Sequence, residues 1–493
     1  TDSDGQNTCK SSDKPLTIKR NYVTSLGDVK GGEYPYITFS ATASQKFKIS
    51  LDLNLWSSVG GSVWQSVTAN TEVEFGGSKG SLRLRGKNNK TGTFLSSISA
   101  TISFTEKDVP VSCKGDIRTL IDWENYATVD TENARFSNLF QKCSVLTSAP
   151  DLPSKNLSSN CYSSMFEGCT SLTTAPALPA TKLAKSCYEQ MFKGCTSLTT
   201  APALPATVLA ESCYKFMFNG CTLLENAPDL PAEKVPNQAY NNMFNGCTSL
   251  EAMPAISAKT VATYGMENMF YGCSNLSTVT DLCIETFTGQ NNCASMFENC
   301  GSLTAAPKLP AATLADYCYM AMFANCTNLS SAPELNADVV HEGSYQRMFA
   351  NCTALKAAPA LPATKVGTSG YSQMFSGCKN MESSPESLPA TELKASCYYR
   401  MFKGCSSLTK VPKLVVNRMA EKCCAEMFMD CSKLKEVTIY LKNDIDTSLN
   451  PFSNWLIRTA KNGTLHIRSG LLDDTKTALC LPKTWTFVED VTD

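Results

Sequence analysis

An α/β solenoid preceded by a small all-β domain is the fold class that this sequence predicts. Three observations carry the prediction: a long internal repeat, apolar residues at helical spacing within each copy, and alternating apolar and polar runs confined to the region before the repeat.

The repeat comes first. The segment from Met165 to Ala180 recurs almost letter for letter from Met191 and from Met217. The Cys that follows each Met-Phe pair, or Leu139-Phe140 in the first copy, falls at 143, 169, 195, 221, 247, 273, 300, 326, 352, 378, 405 and 431, so successive steps are 26 residues, with 27 into Cys300 and Cys405. About twelve copies therefore stand in phase. Leu at fixed offsets with a period of this size lies in the leucine-rich-repeat range, where each coil buries its apolar edge only against its neighbours.

Within a copy, Leu183, Cys187 and Met191 are spaced i, i+4, i+8, with Tyr188 and Phe192 beside them, which predicts an amphipathic helix. Gly194 then occupies the place of a helix-ending glycine. Leu172, Ala175 and Ala177 predict a turn into a short strand whose Thr174 and Pro176 point away from the core. Because proline has no N–H, repeating it in each copy should keep the parallel sheet narrow. Strands pair about 4.8 Å apart whereas helices pack about 8 to 10 Å apart, so the expected array is right-handed and bent, with helices outside and strands inside.

Those residues also carry a family resemblance. The string Met-Phe-x-Gly-Cys-Thr-Ser-Leu-Thr-Thr-Ala-Pro-x-Leu-Pro-Ala, clearest at 165–180 and 191–206, resembles the BspA-like leucine-rich-repeat proteins exported to the surface of gut and oral anaerobic bacteria. The likeness runs over about 135–440. Val279-Thr280-Asp281 and Val437-Thr438-Ile439 depart from the Ala-Pro step, and the period is slightly longer than the commoner form. The resemblance implies a cell-surface role in adhesion or ligand binding, on the extracellular face of a bacterial outer membrane or cell surface. The implied partner is a protein of a host or neighbouring cell, or a glycan, and any membrane attachment would run only through a removed or lipidated leader.

Three regions are expected. Residues 1–112 alternate, as in Tyr36-Ile37-Thr38-Phe39-Ser40 and Ser81-Leu82-Arg83-Leu84-Arg85, and read as a β-sandwich-like domain. Residues 113–440 form the solenoid with its N-terminal cap, and 441–493, with Trp455, Leu465, Ile467, Trp485 and Phe487, form the C-terminal cap.

Composition argues against chemistry. The 493 residues carry a net charge of −1 and no long run of like charge, which gives no hold on nucleic acid. Only two histidines, His341 and His466, are available as general base or metal ligand, and neither sits in a nucleophile, base and orienter set, so no catalytic residue, metal or cofactor is expected. The 24 cysteines are the remaining candidates. One column follows Met-Phe; a second slot holds Cys161, Cys187, Cys213, Cys318, Cys397 and Cys423 but Ala239, Gly265, Asn292, Ser344 and Gly370 in other copies, so small size is what that slot selects. Buried free thiols are expected in both columns. Outside them, Cys9 with Cys113, Cys283 with Cys293, and Cys423 beside Cys424 are disulfide candidates, while Cys480 has no obvious partner.

A ligand-reading surface should be exposed and should differ between copies. The position before the Ala of the Ala-Pro step does: Ser148, Thr174, Thr200, Asn226, Ala252, Thr278, Ala305, Ser331, Ala357, Ser383, Lys410 and Glu436. Lys and Glu in that series exclude a core position, although a plainly solvated face would look the same. The candidate binding residues are Thr174, Thr200, Asn226, Thr278, Ser331, Ser383, Lys410 and Glu436, giving a non-enzymatic binding or adhesion protein. The alternative is a glycan-binding surface lipoprotein that uses Trp56 and Trp64 of the β domain as a sugar platform; two core or turn aromatics of a sandwich are the plainer explanation of that pair.

Overall fold

The computed structural model describes residues 7–11, 14–18, 35–51, 53–88, 100–129, 131 and 136–491. Alternation builds the N-terminal region. After a hairpin of β1 (Asn7–Ser11) and β2 (Lys14–Ile18) come β3 (Ile37–Ser40), β4 (Gln45–Ile49), β5 (Leu55–Val59), β6 (Gln65–Ser66), β7 (Val73–Phe75), β8 (Leu82–Gly86), β9 (Ile102–Phe104) and β10 (Val111–Lys114). One sheet has the order β11-β10-β3-β8-β5-β6, with β11 at Leu146–Ser148, and the other β7-β4-β9. Their buried faces meet through Phe39, Phe47 and Phe104.

The region does not end at 112. β10 pairs antiparallel with β3 and parallel with β11, which already belongs to the first repeat copy. Phe39 also packs edge-on against Phe140, 6.2 Å away, so one hydrophobic core runs from Ile37 to Trp485.

Beyond β11 the chain forms a β-solenoid of about 10 turns. Its paired segments are short: β12 (Lys234–Val235), β13 (Thr260–Ala262), β14 (Thr286–Thr288), β15 (Val339–Val340), β16 (Lys365–Val366) and β17 (Leu414–Val416). Elsewhere pairing shrinks to isolated parallel bridges such as Thr174 with Thr200. The sheet broadens only at the C-terminal end, in β18 (Glu436–Leu441), β19 (Gly463–Ile467) and β20 (Trp485–Glu489).

The outer helices expected from the i, i+4, i+8 spacing are not there. Among the described residues the one α-helix is α1 (Asp473–Ala478), in the C-terminal segment. In place of each expected helix runs a ribbon of overlapping turns. Asn160, Ser164 and Gly168 take left-handed φ values of 57°, 52° and 72°, one residue in every four. Alternate N–H groups close turns within the coil, as Met165 to the Tyr162 carbonyl at 3.2 Å. The others reach the next copy: Tyr162, Ser164, Phe166 and Gly168 donate to Cys187, Glu189, Met191 and Lys193 at 2.8 to 2.9 Å. Every backbone donor of the ribbon is thus satisfied without an intrahelical bond, which buried backbone requires.

This ribbon removes the cause of strong bending. Phe140 to Phe428 stack face to face along it, with centroids 5.6 Å apart at Phe166 and Phe192, only about 0.8 Å more than the spacing of paired strands. A second ladder joins Tyr162, Tyr188, Tyr214 and Tyr240, and another Tyr319, Tyr345, Tyr371 and Tyr398. Met266 and Cys293 interrupt them, and Phe287 meets Tyr319 edge-on there at 5.2 Å.

The strand side also differs in detail. Thr174 faces solvent as expected, but Pro176 is buried and Ala177 exposed. Pairing one residue wide does not hold the alternation beyond Thr174, and proline loses nothing inside because it has no N–H to satisfy.

Candidate functional site

The cysteines turn out to be structural. The Cys143 thiol donates to the Ile102 carbonyl of β9 at 2.8 Å, and from Cys169 onward each thiol of the first column donates to the Phe carbonyl of the preceding copy, as Cys169 to Phe140 at 3.0 Å and Cys300 to Phe270 at 3.1 Å. That carbonyl also takes the N–H of its own coil's Cys, as Phe166 does from Cys169. A residue that is small, apolar and still carries a donor fills this place, and Cys is all three. Burial pushes these thiols up, Cys143 and Cys221 to about 12.

No thiol is paired among the described cysteines. Cys283 is exposed and Cys293 buried, both free; Cys423 and Cys424 are buried and free, with their side chains hydrogen-bonded to each other. Cys113 is a buried free thiol, and the Cys9 side chain lies outside the described residues. Native protein should therefore label with a thiol reagent at Cys283 and Cys480, the exposed pair, and at few other described positions until it is unfolded. Mass spectrometry of the labelled peptides reads this directly, and widespread labelling of the Met-Phe-linked column in the native state would contradict it.

The predicted binding column is a row of bridge positions. Ser148, Thr174, Thr200 and Asn226 pair in succession, Ala252 pairs with Thr278, Ala305 with Ser331, and Ala357 with Ser383 and then Lys410. Glu436 opens β18 and pairs with Thr464. All eight candidate residues are exposed. Their side chains are held in register because the backbone beneath them is bonded across copies while the residues on either side, such as Leu172 and Leu178, are buried. Thr200 and Asn226 edge a shallow groove of about 470 Å³ whose floor is Ala201, Leu204, Pro205 and Pro231. At the far end His466 sits between Asp490, 2.9 Å from Nδ1, and Glu436, 3.7 Å from Nε2.

A second exposed row escaped the sequence reading. Lys182 bridges Val208, Lys234 pairs with Thr260 and then Thr286, Val339 with Lys365, and Glu392 with Arg418. Charged residues in one repeated slot were the signal, the same one that marked the first row. Here much of the charge is used between copies, in Lys185–Glu211 at 3.0 Å and Lys259–Glu233 at 2.8 Å. His341 lies beside this row, 3.9 Å from Asp316, at a hollow that also contains Thr263 and Gln290.

Trp56 and Trp64 do come to one sheet face, but it is not an open platform. The Arg85 guanidinium lies between Trp64 and Trp123, at 4.0 and 3.8 Å from their rings, and Trp56 faces Arg85 across β5 and β8. Both tryptophans are half-buried. Among the described residues no group of three or more His, Cys, Asp or Glu could hold a metal ion, and no helix is long and apolar enough to cross a membrane.

Comparison with known proteins gives a consistent family. A model of the BspA type leucine rich repeat region matches in 6 copies over residues 159–304, 237–382 and 345–460. A leucine rich cell surface protein from Faecalibacterium prausnitzii A2-165 is similar among solved structures, at 16% identity and a TM-score of 0.35, over 77% of this chain and 93% of that one. No curated protein sequence gives a significant match.

Proposed function

Since the chain belongs to the BspA-type leucine-rich-repeat family, we propose that it is a non-enzymatic surface protein that holds a ligand on its first bridge row. The ligand is a protein of a host or neighbouring cell, and the chain is displayed on the outer face of a bacterial surface. One observation carries the reading: Thr174, Thr200, Asn226, Thr278, Ser331, Ser383, Lys410 and Glu436 are exposed, differ from copy to copy, and stand on a backbone bonded to its neighbours. Such a row varies its contacts without touching the packing that stacks the copies. About 10 turns at roughly 4.8 Å give a face on the order of 50 Å long, which suits a broad shallow contact rather than a small substrate.

The test pairs a screen with a variant. The chain is run against a panel of extracellular-matrix proteins and against a glycan array, and a fourfold variant, Thr174→Lys, Asn226→Lys, Lys410→Glu and Glu436→Lys, is run on whatever binds. The variant should lose at least tenfold in affinity, while its thermal midpoint stays near that of the parent because exposed changes rarely exceed about 0.5 kcal/mol each. Unchanged binding in a folded variant would remove the row from the site. Binding to glycans alone would instead favour the N-terminal β region.

A further inference from the structure

Parallel pairing along the second bridge row lapses at one copy. β14 (Thr286–Thr288) pairs with β13, and β15 (Val339–Val340) with β16, but among the described residues the stretch 312–315 between them pairs on neither side. A hollow of about 460 Å³ opens there. Four successive copies line it: Thr263 from the first, Gly289 and Gln290 from the second, Leu314, Ala315 and Asp316 from the third, and His341 from the fourth. Leu314 is buried while Gln290, Asp316 and His341 are exposed, so the hollow has an apolar floor and a polar rim.

The rim keeps hydrogen-bonding capacity in reserve. Asp316 Oδ1 accepts the Glu342 N–H at 3.2 Å, and Gln290 Nε2 donates to the Tyr264 hydroxyl at 3.3 Å. The Thr263 hydroxyl, Gln290 Oε1, Asp316 Oδ2 and His341 Nε2 make no hydrogen bond among the described residues. Gly289 preserves the first of these, since a Cβ there would lie 1.9 Å from Thr263 Oγ1. Two half-buried tyrosines adjoin the rim, Tyr264 and Tyr317, in a slot that carries Ser186, Ser212 and Ser369 in other copies. Gly343 leaves room for the second, because a Cβ there would lie 2.3 Å from the Tyr317 ring. No Lys or Arg lines the hollow.

We propose that this hollow is a second ligand site, which takes an uncharged sugar ring of a glycan. The floor of Leu314 and Ala315 receives the C–H face of a pyranose ring. Around it the rim meets hydroxyl groups with both kinds of partner: the Asp316 carboxylate and the Gln290 amide oxygen accept, while the Thr263 hydroxyl and the His341 imidazole each donate or accept. The Asp316 charge, with no cation among the lining residues, works against acidic sugars and phosphates. The volume lies within the roughly 300 to 1,000 Å³ of small-ligand sites. Tyr264 and Tyr317, each an apolar ring with a polar tip, extend the contact to neighbouring sugar rings. The hollow stands beside the second bridge row, so it acts independently of the protein contact proposed for the first.

An array of uncharged and acidic oligosaccharides, probed with the full chain, tests the site, followed by titration calorimetry on the oligosaccharide that binds best. The ligands found should be uncharged chains. Asp316→Asn keeps an acceptor for the Glu342 N–H but removes the charge, and it should weaken binding by about tenfold or more, because hydrogen bonds to charged groups are the stronger ones. Thr263→Val keeps the shape and deletes the hydroxyl, which should cost about three- to tenfold. Both variants should retain the thermal midpoint of the parent, and if one fails to fold the other decides. An array without an uncharged ligand, or unchanged affinity in a folded variant, would overturn the proposal. Affinity that is unchanged there but lost in Trp56→Ala would place the sugar on the N-terminal β region instead.

Discussion

Between about pH 9 and pH 10.5 the array is expected to unfold in one steep transition, although it is stable at neutral pH. The cause is the thiol column. A cysteine in an unfolded chain ionises near pH 8.5. Desolvation holds the twelve column thiols, from Cys143 and Cys169 to Cys431, above their ordinary value. Below about pH 8.5 both states keep the proton and the thiols add no pH dependence. Above it the unfolded chain releases protons that the folded chain retains, so each thiol favours unfolding by about 1.4 kcal/mol per pH unit until its folded value is reached. By pH 10 that is about 2 kcal/mol per thiol, and on the order of 25 kcal/mol for the column, against the roughly 5 to 15 kcal/mol that holds an ordinary domain. The buried Tyr188 and Tyr214 hydroxyls, also raised by desolvation, act in the same direction at higher pH. A circular-dichroism titration in the presence of reductant measures it. Retention of the native spectrum beyond about pH 11.5 would contradict buried, protonated thiols.

Replacing Phe297 by alanine should be the most damaging single truncation in the array. The ring is fully buried and stacks on Phe270 and Phe323, with both centroid separations 5.6 Å. Losing a buried phenyl costs about 3 to 5 kcal/mol, and the void cannot refill because both neighbours are held by their own partners. Since each copy touches only the next, the damage should also uncouple the two halves. Urea unfolding of Phe297→Ala is expected to split into two transitions where the parent shows one. Phe297→Leu, which keeps most of the volume, should shift the midpoint without splitting it. A single unshifted transition for the alanine variant would mean that the ladder does not couple the copies.

Much of this was legible from the residues alone. The period, the small-residue slot at Cys187, the exposure of the row from Thr174 to Glu436, and the order of a β region before a repeat array all follow from the text of the sequence. The helix did not survive, for a physical reason. Apolar residues at i, i+4 and i+8 drift by only about 80° on an ideal helix, so eight residues do not separate a 3.6-residue period from a 4-residue one. What separates them is the left-handed residue at every fourth place, and there the sequence is mute. Asn160 and Ser164 are suited to such places, but Gln190, Phe216, Arg347 and Arg400 adopt them as well. Those residues accept a conformation that disfavours side chains because the hydrogen bonds to the adjacent copies leave no alternative. Pro176 was misplaced for a related reason, since alternation was extended past the single paired residue that enforces it.

The central claim, that the copies are held by turn ribbons bonded from coil to coil rather than by packed helices, has a direct test in far-ultraviolet circular dichroism joined to amide I infrared spectroscopy of the whole chain. With α1 (Asp473–Ala478) as the one α-helix among the described residues, the spectra should show β and turn bands and almost no helical double minimum. A helical signal corresponding to about ten residues in every copy, the length of a typical globular helix, would contradict the ribbon and restore the layered α/β array.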